Sequence, residues 1–173
     1  MTTAASSPGA LPGAVAWDGG DLVITRTFAA PREAVFRAWT EAGHFARWWG
    51  PHGATLPFCR IDARPGGVLH YRHHFTGGDH EDVWIRGTFG EVAAPERISF
   101  TTHFSDAEGN RVDRPGFPLE MTITVTFAEE GGGTRVTARH AGLVEDQGEV
   151  QGWLESLDRL AALLINPHTQ AGE

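Results

Sequence analysis

The sequence predicts an α+β domain in which one curved antiparallel sheet wraps a long C-terminal helix. Three observations predict it. The last regular stretch, Glu149–Ile165, repeats apolar residues at helical spacing. Most of the chain from residue 55 to 143 alternates with period two, and the turns between the alternating runs are short, as antiparallel pairing requires. In the terminal stretch Val150, Trp153, Leu154, Leu157, Leu160, Ala161 and Leu164 form one apolar stripe, with Gln151, Glu155, Asp158 and Arg159 opposite. Glu155 and Arg159 are spaced for an i,i+4 ion pair, Asp146 and Glu149 for a capping box, and Asn166-Pro167 for a stop. Such a helix is a rod of roughly 27 Å, and its apolar face needs a sheet to lie on.

The remaining elements follow in order. Residues 1–19, rich in Ala, Ser, Pro and Gly, read as a disordered tail. Asp21–Phe28 alternates and makes a first strand. Pro31 occupies a first helical position, with Val35, Phe36 and Trp39 at helical spacing behind it. Gly43 interrupts, and residues 44–49 (HFARWW) make a second short helix that Gly50-Pro51 ends. Two helices this short plug one end of a sheet. Strands are predicted at 58–63, Val68–Phe75, 82–92 and 97–104, joined by turns at 64–67 (RPGG), 76–79 (TGGD) and 94–96 (APE). Residues 83–89 read two ways, because Trp84 competes with Val83, Ile85 and Phe89 for the inner face; a bulge there reconciles them.

Residues 105–118 form a polar loop with no strand or helix signal. A loop of that length is predicted to border a cavity entrance and to exchange its amide hydrogens faster than the strand after it. Exchange there as slow as in residues 119–127 would contradict this. In 119–127 Leu119, Met121, Ile123, Val125 and Phe127 face one way, and Glu120, Thr122, Thr124 and Thr126 the other. Gly131, Gly132 and Gly133 turn the chain into residues 134–143, where Val136, Ala138 and His140 share a face. The domain thus spans residues 20–166, with 167–173 a second tail.

Composition removes several functions. The net charge of −8 opposes nonspecific nucleic-acid binding, which needs basic surface to displace counterions. All fourteen basic side chains are arginine, which excludes a phosphate-loop lysine, a Schiff-base lysine and a lysine general base. Cys59 is the sole cysteine, so no intrachain disulfide forms. The N-terminus lacks the charged and apolar regions of a signal peptide, and no apolar run reaches membrane-spanning length. The cytoplasm is the expected location.

Six segments occur in a telling order: FAAPREAVFRAWT at 28–40, RWWGP at 47–51, RPGG at 64–67, APERISFTT at 94–102, GGTRVTARHAGL at 132–143 and GWLESLDRLAALL at 152–164. Together they resemble the bacterial branch of the heat-shock-protein-90 ATPase activator homologue family, part of the START-like, helix-grip (SRPBCC) superfamily. The resemblance spans residues 21–165. It implies the helix-grip fold, a link to stress response, and a deep apolar cavity between sheet and long helix that takes lipids, sterols, polyketides or aromatic molecules. Some superfamily members are cyclases or hydrolases. The eukaryotic activator carries a further N-terminal domain without counterpart in this chain.

The alternation seen in the family places Leu69, Tyr71, His73 and Phe75 inward and His70, Arg72 and His74 outward. His140 lies on the apolar face of the last strand. Tyr71, His73 and His140 are then polar groups in an apolar space, and each needs a partner from protein, water or ligand. The expected ligand-binding residues are Trp49, Leu69, Tyr71, His73, Phe75, Met121, Ile123, His140, Trp153 and Leu157. Of the adjacent Trp48 and Trp49, one packs in the core and the other at the cavity mouth. Cys59 reads as a small hydrophobe rather than a nucleophile. The His-rich run at 70–84 does not read as a metal site: neighbours on a strand diverge, and His70 and His74 stand about 13 Å apart. His74, Asp79 and His80 near the hairpin tip match no recognised zinc spacing.

The expected function is therefore binding of a small apolar or aromatic molecule, with no cofactor, no metal and no catalytic residue assigned. The expected partner is a small hydrophobic ligand, not nucleic acid or membrane, with a homodimer left open. The alternatives are a cyclase- or hydrolase-type enzyme using Tyr71, His73 or His140, and a chaperone-interacting module.

Overall fold

The computed structural model describes residues 13–77, 80–143 and 148–165. Among them eight strands and three helices follow in the order β1 (Gly13–Asp18), β2 (Asp21–Phe28), α1 (Arg32–Thr40), α2 (Ala42–Trp48), β3 (Ala54–Ile61), β4 (Val68–Phe75), β5 (Val83–Ala93), β6 (Arg97–Ser105), β7 (Met121–Glu130), β8 (Gly133–Ala141) and α3 (Glu149–Ile165). The strands form one sheet in the order β1-β2-β8-β7-β6-β5-β4-β3, and every pairing is antiparallel. The long helix α3 packs against α2, β2 and α1. This is the α+β helix-grip arrangement.

The strand β1 corrects the reading of residues 1–19 as an irregular tail; residues 1–12 lie outside the described ones. Gly19 and Gly20 both adopt positive φ (61° and 92°), as a tight two-residue hairpin needs. The pairing of Asp18 with Asp21 continues to Gly13 with Arg26. Arg139 clasps the hairpin, donating to Asp18 at 2.6 Å and to Asp21 at 2.8 Å. The signal was the Gly-Gly pair between two alternating runs, hidden by the low-complexity residues before it. All six residues of β1 are exposed, so it is an edge added outside the core.

The stripe on α3 is rotated from the expected one. Trp153, Ser156, Leu157, Leu160, Ala161 and Leu163 are buried, whereas Val150, Leu154 and Leu164 are half-buried. The expected Glu155–Arg159 pair does not form. Glu155 accepts the His52 backbone N–H at 2.9 Å and the Gln151 amide at 2.6 Å. Arg159 turns inward and donates to the carbonyls of Gly50 (3.0 Å), Pro51 (3.3 Å) and Arg47 (3.3 Å). The end of a helix leaves carbonyls unpaired and partly negative, so the corner after α2 draws the guanidinium more strongly than an exposed carboxylate does. The same face of α3 carries Ser156, whose hydroxyl accepts the Gly50 N–H. The proposed capping box at Asp146 and the stop at Asn166-Pro167 fall outside the described residues, as do Gly78 and Asp79 of the 76–79 turn.

Two more expectations change. Leu119 is 62 % exposed and precedes β7. Arg111 explains why: it donates to the Leu119 carbonyl at 2.7 Å and to the Glu120 carboxylate at 3.0 Å, holding both to the loop instead of the ladder. No bulge separates Val83 from Phe89; the register shift falls between Phe89 and Val92. Ile85 and Phe89 point inward, and Trp84 packs on the outer face against Phe58 and His70, with ring centroids 5.3 and 5.1 Å away. The conflict along β5 is thus resolved by a shelter on the outer face. His70 faces outward as expected, yet is only 6 % exposed beneath that cover. Its Nε2 lies 3.3 Å from both the Ser105 hydroxyl and the Asp106 carbonyl.

The core concentrates where the short helices meet α3. Trp39 has its ring centroid 4.7 Å from Trp48, 5.7 Å from Trp49, 6.3 Å from Phe127 and 6.0 Å from Trp153. Ring pairs at such separations add stabilisation beyond area burial alone. Trp48 is fully buried and donates Nε1–H to the Ala38 carbonyl at 2.9 Å. Trp49, the next residue and about 100° further round, is left to the side that faces the cavity.

Candidate functional site

Between the concave face of the sheet and the first half of α3 lies a partly open cavity of about 220 Å³. The corner after α2 contributes Trp49, Gly50 and Pro51. The sheet contributes Tyr71 and His73 from β4, Val83 and Ile85 from β5, Phe104 from β6, Met121 from β7 and His140 from β8. The helix closes it with Glu149, Gly152, Trp153 and Ser156, and Phe117 reaches in from the loop after β6. Depressions of comparable volume elsewhere have mixed polar walls; this one is mainly aromatic and aliphatic.

Each polar group in the wall has a defined state. Trp153 donates Nε1–H to His140 Nδ1 at 3.0 Å. An indole nitrogen only donates, so Nδ1 accepts and the neutral imidazole carries its proton on Nε2. Burial pushes the His140 pKa down to about 4 despite the favourable charge of Asp21. His73 is likewise pushed down to about 4, by burial first and by the Arg159 charge second. Burial drives the Tyr71 hydroxyl well above the ordinary phenol range, opposed by the neighbouring Trp49 indole. All three are therefore neutral at pH 7. Ser156 is saturated: its hydroxyl donates to the Gly152 carbonyl at 2.8 Å and accepts the Gly50 N–H at 3.0 Å. Gly50 holds φ at 112°, and a Cβ on it would stand 3.1 Å from His73 Nε2. That corner must be glycine for the chain to pass so close to the imidazole.

The family described as activator of Hsp90 ATPase homolog 1-like protein matches residues 29–165 of this fold. The chain belongs to that family.

Solved structures agree with membership in the Hsp90 ATPase activator homolog family. A protein from Mycobacterium smegmatis is 28 % identical with a TM-score of 0.75, over 88 % of this chain and 97 % of its own. One from Chromobacterium violaceum is 28 % identical at 0.73, over 83 % and 96 %. One from Silicibacter pomeroyi that bears the family's name is 27 % identical at 0.70, over 86 % and 99 %. None of the curated proteins is significantly similar to the chain.

Within this homolog-family fold, six of the ten expected site residues meet at the cavity: Trp49, Tyr71, His73, Met121, His140 and Trp153. The other four do not. Leu69, Ile123 and Leu157 are buried at 1, 4 and 1 % exposure in the packed core. Their strand or helix positions are inward, but at depths that other side chains have already filled. Phe75 lies at the far end of β4, against His73 and His80. Gly50, Pro51, Val83, Ile85, Phe104, Phe117, Glu149, Gly152 and Ser156 were not foreseen. Inward alternation along β5 pointed to Ile85, and the long loop, expected at the cavity entrance, contains Phe117; the glycines and Ser156 left no signal.

Of the adjacent tryptophans, Trp48 fills the core and Trp49 lines the cavity. Burial raises the Cys59 thiol to about 12, so it holds its proton at physiological pH. Among the described residues no group of three His, Cys, Asp or Glu side chains could hold a metal. His74 instead pairs with Asp82 at 2.8 Å. No helix among the described residues is long and apolar enough to cross a membrane.

Proposed function

We propose that the protein binds a small, mainly apolar ring compound between the sheet and α3 and does not transform it. The observation that carries this reading is the convergence of Trp49, Tyr71, Phe104, Phe117 and Trp153 on one cavity. A domain that needed only stability would fill such a space, since each unfilled Å³ forfeits contact energy. Size sets the occupant. An apolar cavity of about 150 Å³ takes a benzene, and drug-sized ligands occupy about 300–1,000 Å³. A cavity of about 220 Å³ suits one ring or two fused rings and is too small to enclose a sterol.

Catalysis is the less favoured reading. Two polar groups do stand 3.0 Å apart beside the cavity, His140 Nδ1 and Trp153 Nε1. An indole N–H is far too weak an acid to hand its proton to a substrate at neutral pH, so the pair orients the imidazole without making it an acid or a base. No carboxylate hydrogen-bonds either cavity histidine among the described residues. A pKa near 4 also leaves each too weak a base to abstract most protons.

A thermal-shift screen with fatty acids, mono- and bicyclic aromatics, flavonoid-like compounds, polyketide mimics and sterols tests the reading. A bicyclic hit at a hundred times its Kd should add about 2.7 kcal/mol of stability and raise the midpoint. The double change Tyr71→Phe/His140→Leu should weaken the response. Sterols should leave the midpoint unmoved, and a screen in which no apolar compound raises it overturns the reading.

A further inference from the structure

Three buried ring nitrogens in the cavity wall lack a full hydrogen bond among the described residues. They are Trp49 Nε1, His73 Nε2 and His140 Nε2, all shielded from bulk water, with the Trp49 indole leaning on the Tyr71 hydroxyl. Trp49 and His140 are each 8 % exposed. The indole of Trp49 can only donate. His140 Nε2 must also donate, because Trp153 has committed Nδ1 as the acceptor at 3.0 Å. The Tyr71 hydroxyl, buried in the same wall beside Trp49, can donate as well as accept. Of the two hydroxyls in the wall, Ser156 is already used by Gly50 and Gly152 and Tyr71 is engaged by the Trp49 indole, which leaves the His140 Nε2–H without an acceptor.

We infer that the cavity selects a ring compound carrying a hydrogen-bond acceptor, a carbonyl oxygen in particular, over the hydrocarbon of the same shape. This rests on the reading of the cavity as a binding site and adds the chemistry of what enters it. Unpaired donors in a dry apolar space are costly, and leaving one unmatched penalises a ligand that cannot satisfy it. A carbonyl oxygen offers the His140 Nε2–H the acceptor that it lacks, with a second lone pair to spare. A cationic amine has no acceptor to offer and brings its own N–H groups against those of the wall. The Trp153 to His140 hydrogen bond is the positioning element. It fixes the imidazole as a donor, so the specificity of His140 is set by a neighbour on α3. Burial reinforces that state by holding His140 neutral. A protonated ring would present N–H at both nitrogens and break the indole bond.

The test compares indane with 1-indanone, which share a bicyclic frame and differ by one carbonyl, using uniformly ¹⁵N-labelled protein at pH 7. The ketone is expected to bind at least tenfold more tightly. The Trp49 indole N–H and the His140 Nε2–H resonances should move downfield with the ketone and not with the hydrocarbon. In His140→Leu the ketone-to-hydrocarbon affinity ratio should fall toward one, and in Trp153→Phe it should fall part of the way. If either variant does not fold, the wild-type resonances alone decide. Equal affinity for both compounds overturns the acceptor selection and leaves the cavity a binding site. Tighter binding of the ketone without movement at Trp49 or His140 overturns it as well, by placing the acceptor elsewhere. Failure of both compounds to bind overturns the selection together with the binding reading on which it rests.

Discussion

Replacing Trp153 by alanine is expected to lower the free energy of unfolding by about 3–5 kcal/mol. Trp153 is 5 % exposed and is the point where the long helix joins the aromatic core. Its ring centroid lies 5.1 Å from Trp49, 6.0 Å from Trp39 and 6.0 Å from His140. Alanine would lose the transfer energy of a large ring and open the existing cavity into the core, where the surrounding tryptophans are too rigid to collapse. It would also strip His140 Nδ1 of its only donor among the described residues. Leu154→Ala, one residue along on a half-buried position, should cost clearly less. Urea denaturation of the three proteins decides the matter. A loss below about 1 kcal/mol for Trp153→Ala would mean that this residue does not anchor α3.

Acid should destabilise the fold through its buried histidines before any carboxylate titrates. His73 and His140 are each held at about 4, against an ordinary value of 6.5. Above pH 6.5 both folded and unfolded chains carry neutral rings, and the two groups make no difference to stability. Between 6.5 and 4 the unfolded chain binds protons that the folded one refuses, so stability falls as pH falls. Below 4 the penalty is complete and constant. At 1.36 kcal/mol per pH unit, each ring removes on the order of 2 kcal/mol by pH 5. His70, also lowered by burial, adds to the loss with the same sign. Asp106 and Glu155, lowered by hydrogen bonds to Asn110 and to Gln151, act only at and below the ordinary carboxylate range. Unfolding free energies at pH 7 and pH 5 should therefore differ by several kcal/mol, and His73→Gln/His140→Gln should flatten the dependence. A wild-type difference below about 1 kcal/mol would show that these imidazoles are solvated.

The sequence alone determined the order of the elements after residue 20 and the two faces of most strands. It did so because periodicity is a local property. Val68–Phe75 and Asp21–Phe28 were legible to the residue, since alternation and flanking turns coincide there. That one of Trp48 and Trp49 packs in the core and the other at the cavity followed from the 100° turn between neighbours on a helix, which does not say which is which. The hairpin that adds β1 was written in Gly19 and Gly20, and was lost only because composition upstream masked it.

What only the tertiary structure decided is depth and rotation. Leu69 and Tyr71 share one face of one strand, yet one is core and the other lines the cavity, because Trp49, Phe104 and Phe117 from distant segments determine where the packed space ends. Arg159 read as a surface partner for Glu155; in the structure it reaches inward to the carbonyls of Arg47, Gly50 and Pro51, and Ser156 meets Gly50 beside it. The donor state of His140 depends on a bond to Trp153, thirteen positions away on another element. Spacing tells which side of an element a residue occupies, but a cavity and the protonation of its wall arise from contacts between elements. Those contacts are non-local, and no pattern along the chain records them.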